Sequence, residues 1–209
     1  MQGVLESSSV PTEMIVVNDG SCDATAKILD QLQKTYPFLR AIHHEKNQMI
    51  GGAFLSGLAA SEASHVLLIP VDNPLEKKVL QQFIEAADRA DIVVGCRVQR
   101  SGYKLWMKIL SRWYWLLCTV LFCARIQDWT WICLYDRKKI LQLHLQFKGI
   151  ALLPEILAKA SLRKLVIAQM PCPMLARTAG KATVAKLTRI VHLFCETLKL
   201  WLHIRFQKW

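Results

Sequence analysis

Acidic residues are scarce in the second half of this 209-residue sequence. Residues 96–209 hold twenty Lys and Arg against four Asp and Glu, whereas residues 1–95 hold seven against twelve, so a net −5 is followed by +16. A half so basic favours an anionic partner, either nucleic acid or the anionic face of a membrane. Flexible Gly- and Ser-rich basic arms are missing; the cations are interleaved with Leu and with all seven Trp, which argues against nucleic acid and for interfacial helices. CxxC pairs are also missing. The seven cysteines (Cys22, Cys96, Cys118, Cys123, Cys133, Cys172 and Cys195) are odd in number and lie mostly in apolar surroundings, which points to free thiols in a reducing compartment rather than a zinc site or disulfide framework. The six histidines show no metal-ligand spacing, and His43-His44 reads as a strand end. "MQGVLESSSVPTE" has neither a basic n-region nor an apolar h-region, so no secretory signal is expected and the working face should be cytoplasmic. No internal repeat or low-complexity tract occurs.

What is present is apolar and periodic. Hydrophobic residues make up 53% of the chain, enough for one sizeable core with a tail. Short β-branched runs and amphipathic runs alternate: strands are expected over 14–17, 39–43, 65–69 and 91–96, and helices over about 24–35, 51–63 and 77–88. Such alternation predicts an α/β fold with a mostly parallel sheet, whose ligands bind beyond the carboxyl ends of the strands. Three polar clusters, "NDGS", "VDNP" and "GCR", fall at those ends.

After Tyr103 the pattern changes. Residues 105–126 predict a helix that is apolar nearly all round, but its uncharged core, Trp113–Ala124, is 12 residues long, short of the roughly 20 a bilayer span needs. An interfacial or buried helix is expected, with a spanning one as the lesser option. Residues 184–202 place Val184, Leu187, Val191, Phe194, Leu198 and Trp201 at steps of three and four. A helix packed on the core explains that stripe as well as one lying on a membrane, and the flanking Trp, Arg and Lys favour the membrane.

Several residues suit a nucleotide site on chemical grounds. Asn18 and Asp19 follow a strand, where a carboxylate can accept hydrogen bonds from a base or ribose, and Gly20 permits a tight turn. Gly51 and Gly52 allow backbone to approach a ligand at a helix start, although helix packing accounts for them equally. Asp72, in "IPVDNP", can hold a cation or simply build a turn. Arg97, Arg177 and Lys181 are candidate phosphate contacts.

Five fragments occur in order over residues 13–183: "EMIVVNDGSCDAT", "NQMIGGAFLSGLAAS", "DIVVGCR", "IQDWTWICLYDRKKIL" and "MPCPMLARTAGKAT". Together they resemble the catalytic domain of glycosyltransferase family 2, in the branch similar to dolichol-phosphate mannosyltransferase and bacterial polyprenyl-phosphate glycosyltransferases. The resemblance implies a GT-A fold, with Rossmann-like sheet and flanking helices, over residues 1–183, while the apolar stripe and its flanking cations make 184–209 an amphipathic helix expected to associate with a membrane. It implies an inverting transfer from a nucleotide-diphospho-sugar (UDP- or GDP-linked) to a polyprenyl or dolichyl phosphate, with Mg2+ or Mn2+ as cofactor. Asn18, Asp19, Gly20, Ser21, Asn47, Gly51, Asp72, Arg97 and Lys181 are then expected to bind the donor, Asp72 the metal, and Asp128 and Arg177 to serve catalysis. A lipid phosphate is already an anion and needs no base, so Asp128 would orient groups or assist the metal. The chain also departs from the family. The usual first strand and helix are not found before Met14, Pro70 stands where an Asp-x-Asp motif has its first acid, Met49 and Ile50 replace a glycine and a basic residue, and "WICL" replaces "SGFR". These departures keep open a second reading, a membrane-associated binding protein on an inactive glycosyltransferase scaffold.

Overall fold

The computed structural model describes residues 11–71, 75–98, 105–173 and 187–206. The expected alternation is found over the first half. Strand β1 (Met14–Asn18) leads into helix α1 (Thr25–Thr35), β2 (Leu39–His43) into α2 (Met49–Ala60), and β3 (His65–Leu67) into α3 (Lys77–Ala87), which returns to β4 (Ile92–Arg97). The second half holds α4 (Leu105–Phe122), β5 (Cys133–Asp136), α5 (Arg137–Leu141), α6 (Leu152–Leu162), β6 (Ile167–Cys172) and α7 (Leu187–Phe206).

The strands form two sheets. β1 and β2 pair in parallel, Met14 opposite Leu39 through Asn18 opposite His43. The other sheet has the order β3-β5-β4-β6, with β4 parallel to β6 and β5 antiparallel to both of its neighbours. β4 is buried over Ile92–Cys96, as a central strand covered on both faces must be. β1 and β3 are equally apolar in sequence, yet β3 and most of β1 are only half-buried, and among the described residues no backbone hydrogen bond joins the two sheets.

Helix α2 bridges the two sheets. Its Gly57 faces Val17 of β1, where an added Cβ would lie 3.7 Å from Val17 Cγ2. Its Phe54 packs on Tyr135 of β5 at a ring-centroid distance of 5.4 Å, and Arg137 Nε donates to the Leu58 carbonyl at 3.2 Å. Ring packing and a hydrogen bond to α2 thus join two sheets between which no backbone ladder runs among the described residues.

The core lies beneath α2, α4 and α6. Residues Leu152–Ala160 of α6 are all buried, including Glu155 and Lys159. Those two charges are compensated: Lys159 Nζ bonds Glu155 Oε1 at 2.7 Å and the His144 carbonyl at 2.9 Å, while Glu155 accepts from the Gln146 and Phe147 amides. Unpaired, either would cost several kcal/mol on burial.

Helix α4 ends at Phe122, before the expected residue 126, and Cys123 takes φ 51°. Among the described residues no helix is long and apolar enough to cross a membrane. Helix α7 packs on α4 and α6 and buries Leu200 and Thr197. The expected stripe is therefore split: Phe194 and Trp201 turn inward, whereas Val191 and Leu198 are exposed. Thr197 takes an inner position because its hydroxyl is satisfied there by Tyr114 Oη at 3.0 Å and the Leu193 carbonyl at 2.8 Å, so a polar residue in the sequence became part of the buried face.

Candidate functional site

One edge of the molecule collects strand beginnings. Glu13, just before β1, accepts hydrogen bonds from Ser61 Oγ (2.6 Å) and from the Glu62 and Ala63 amides, which lie just before β3. The Ser64 carbonyl takes the Arg137 amide at the end of β5, and Asp91, before β4, takes the Val166 amide, before β6. The parallel strands β1, β3, β4 and β6 therefore finish at the opposite rim, which carries Asn18-Asp19, the chain leaving β3, Arg97 and Cys172. Loop residues 128–132, running into β5, belong to the same rim.

At the end of β1 the chain turns through Gly20 at φ 73°, where a Cβ would lie 2.7 Å from the Asn47 nitrogen. Only glycine fits so close a turn. The Asn18 side chain is used within the turn: Oδ1 accepts the Ser21 amide at 3.1 Å, and Nδ2 lies 3.1 Å from His43 Nδ1. Asp19 is more open, its side chain 19% exposed. Its Oδ1 accepts from His44 Nδ1 at 2.7 Å and from the Gln48 amide at 2.8 Å, and no described residue bonds Oδ2. His44 Nε2 in turn lies 2.8 Å from Ser56 Oγ of α2. Asn47 Oδ1 caps the Met49 amide at the start of α2.

Gly51 and Gly52 make close approaches, but to protein. The Gly52 amide donates to the Lys148 carbonyl at 2.9 Å, and a Cβ on Gly51 would collide with that carbonyl. Close packing of α2 on the segment at Lys148 therefore calls for glycine at position 51.

Further along the rim, Arg97 and Asp128 face each other. Arg97 Nε bonds Asp128 Oδ2 at 2.6 Å and Nη2 bonds Oδ1 at 2.7 Å, a two-point fork in which Asp128 is 3% exposed and Arg97 11%. Nη2 also donates to Thr130 Oγ1, and the guanidinium lies 4.9 Å from the centre of the Trp131 ring. Sequence reasoning placed a phosphate contact and an acceptor-side acid here and did not foresee that they neutralise each other. Beside the pair is a cleft of about 250 Å³ lined by Cys96, Arg97, Val98, Gln127, Gln169, Met170 and Pro171. Gln169 shapes its wall, accepting the Gln127 amide and donating to the Arg125 carbonyl. The Cys96 thiol is pushed up to about 11, by burial first and then by the negative charge of Asp128, so it is no nucleophile near neutral pH.

Asp72, Arg177 and Lys181 lie outside the described residues. Among those described, no group of three or more His, Cys, Asp or Glu side chains could hold a metal ion. Asp19 and Asp128 are engaged by His44 and Arg97, and the residue assigned to the metal, Asp72, is not among those described. His44, Gln48, Trp131 and Gln169 are rim residues that sequence reasoning missed. Only the pairing of β1 with β2, which brings His44 beside Asp19, could have signalled the first.

Residues 2–144 match the family described as "Glycosyl transferase family 2". The chain belongs to that family. Among curated family relatives, an uncharacterised glycosyltransferase of Nostoc sp. is 30% identical over 93 residues, 44% of this chain and 29% of the relative. A dolichyl-phosphate β-glucosyltransferase of Trichomonas vaginalis is 31% identical over 105 residues, 46% of this chain and 31% of the relative. These matches thus span under a third of either relative's length. Among solved structures, glucosyl-3-phosphoglycerate synthase of Mycobacterium tuberculosis, in complex with Mn2+, UDP and glucosyl-3-phosphoglycerate, superposes with a TM-score of 0.69 at 16% identity. That superposition covers 90% of this chain and 68% of the synthase, and it establishes the GT-A-type α/β fold expected from the sequence.

Proposed function

We propose that this glycosyltransferase family 2 chain transfers a hexose, with inversion, from a nucleotide-diphospho-sugar to a phosphate-bearing acceptor at a membrane surface, the acceptor being a polyprenyl or dolichyl phosphate. The observation that carries the reading is the rim itself: a partly open carboxylate, Asp19, at the end of β1, and a cleft with an Arg-Asp fork at the end of β4, on one edge of the sheet. Carboxylates repel a diphosphate but accept hydrogen bonds from a nucleoside, so Asp19 suits the base or ribose. The phosphates need cations, and Arg177 and Lys181 are the residues assigned to them. Asp72 is assigned to Mg2+ or Mn2+, which would neutralise charge on the departing nucleoside diphosphate.

The membrane part of the reading is supported by α4 and α7. Trp106, Ile109, Trp113, Leu116 and Val120 are exposed at steps of three and four along α4, and Val191, Leu198, Leu202 and Phe206 are exposed on α7 beside it. Lys108, Arg112, Lys199 and Arg205 are exposed on the same two helices, as anionic lipid requires. A cytoplasmic face of the membrane is the location proposed.

A second reading is favoured by Pro70, which stands where the family's metal motif has its first acid, and by the mutual neutralisation of Arg97 and Asp128. It makes the chain a membrane-associated protein that binds nucleotide without turnover. Transfer of radiolabelled sugar from UDP- or GDP-sugars to polyprenyl phosphate in liposomes, with and without EDTA, separates the two. Metal-dependent transfer that Asp72→Asn abolishes upholds the enzyme, while binding without transfer upholds the second reading.

A further inference from the structure

We infer that His44, braced by Ser56, is a positioning residue for Asp19, and that it leaves Asp19 a single oxygen with which to select a nucleoside offering one hydrogen-bond donor, as uracil does, over one offering two, as guanine does. The inference rests on the reading of Asp19 as a nucleoside contact and deepens it.

An ionised carboxylate only accepts hydrogen bonds, so the 2.7 Å contact between Asp19 Oδ1 and His44 Nδ1 requires the proton on Nδ1. In the neutral imidazole Nε2 is then an acceptor, and Ser56 Oγ, 2.8 Å away, supplies its hydrogen. The ring is fixed at both nitrogens. It is also fixed by its backbone, because the His44 amide donates to the Asn18 carbonyl at 2.9 Å and extends the β1-β2 ladder by one rung. The side chain is 7% exposed, against 19% for Asp19.

The order Asp-His-Ser resembles a hydrolytic relay, but Ser56 sits inside α2, where backbone amides are committed to the helix. No pair of free amides is available there to hold an oxyanion. The hydroxyl is a brace.

A carboxylate has about four lone-pair sites, two on each oxygen. Oδ1 gives both of its sites to His44 Nδ1 and the Gln48 amide. Oδ2 has no partner among the described residues. Recognition of guanine through its imide N–H and amino group takes both oxygens of a carboxylate in a two-point fork, which Asp19 cannot offer without giving up His44 or Gln48. One imide N–H, the donor edge of uracil, needs only Oδ2.

Titration calorimetry of the full chain with UDP and GDP tests this. UDP is expected to bind at least tenfold more tightly than GDP. His44→Ala should weaken UDP tenfold or more, His44→Asn, whose amide can stand in for Nδ1–H, should recover most of that loss, and Ser56→Ala should weaken UDP by a few fold. In an Asp19→Asn background His44→Ala should add nothing further, since His44 acts through Asp19; a merely structural histidine would weaken binding equally in both backgrounds. The 15N shifts of the His44 ring should report the Nδ1–H tautomer. Equal affinity for UDP and GDP, UDP binding that survives His44→Ala, or additive losses in the double variant overturns the positioning role alone. Absence of UDP and GDP binding by the wild type, or binding indifferent to Asp19→Asn, overturns the nucleoside reading of Asp19 and the positioning role with it.

Discussion

Arg97 is legible in the sequence as a cation at a strand end and Asp128 as an acid in the segment after the long apolar helix, and nothing in their spacing shows that they meet. Buried together, they are worth little as a pair against well-packed apolar side chains, but either alone is costly. Arg97→Ala leaves a carboxylate 3% exposed without its fork, and the expected loss, read from the urea midpoint, is about 3–5 kcal/mol. Arg97→Met with Asp128→Leu should lose clearly less, because no charge is then stranded. The cysteines divide just as sharply. Burial pushes the thiols of Cys118 and Cys133 up to about 12, and Cys96 and Cys172 are also buried and raised. Cys22, Cys123 and Cys195 are exposed. Mass spectrometry after iodoacetamide at pH 8 should find the exposed three alkylated and the buried four protected until the chain is unfolded. The free thiols expected from the odd count are found, and which of them face water is a property of the fold.

Elements were easiest to read where periodicity and punctuation agreed. β1, α1, β2, α2, α3 and β4 fall within a few residues of their expected bounds. β5 was hidden because "CLYD" is short and lies inside a motif, and α6 because a helix buried on every side has no amphipathic stripe to betray it. At the junction where β4, β5 and β6 meet, burial works to raise the Asp91 carboxyl, but Lys139 and the Val166 amide outweigh it and hold the group below its ordinary value. A carboxyl lowered by folding contributes stability above its unfolded value, and that contribution is lost as pH falls through the folded one. The urea midpoint of the wild type should therefore drop below about pH 4, and Asp91→Asn should flatten this acid limb while lowering the midpoint near pH 7. On α4, Trp106 and Trp113 are 42% and 62% exposed. Vesicles containing phosphatidylserine should shift tryptophan emission to the blue, and replacing both residues with Gln should reduce the shift and the bound fraction; neutral vesicles should bind weakly, because the exposed cations of these helices would have no partner.

At the scale of the whole molecule, helix α2 packs on both sheets, and among the described residues no ladder joins them. Half-buried β1 and β2 pack chiefly on α1 and α2, whereas β4 lies under full cover. Native-state hydrogen exchange should show the amides of β1 and β2 opening with a smaller free energy than those of β4 and β6, which should exchange only on global unfolding. Uniform protection of all four strands would show that α2 alone makes them one cooperative unit. The alternation of strand and helix, the strand ends on which polar residues stand, the family and the uneven placement of charge are all legible in the residues alone. These are encoded in local periodicity and in motifs a few residues long. That Arg97 pairs with Asp128, that Gly51 packs against the Lys148 carbonyl and that His44 stands behind Asp19 emerges only in the folded chain. Each of those depends on parts of the chain brought together by the folding of the core, and the side chain that completes a contact leaves no mark in the stretch of sequence that begins it.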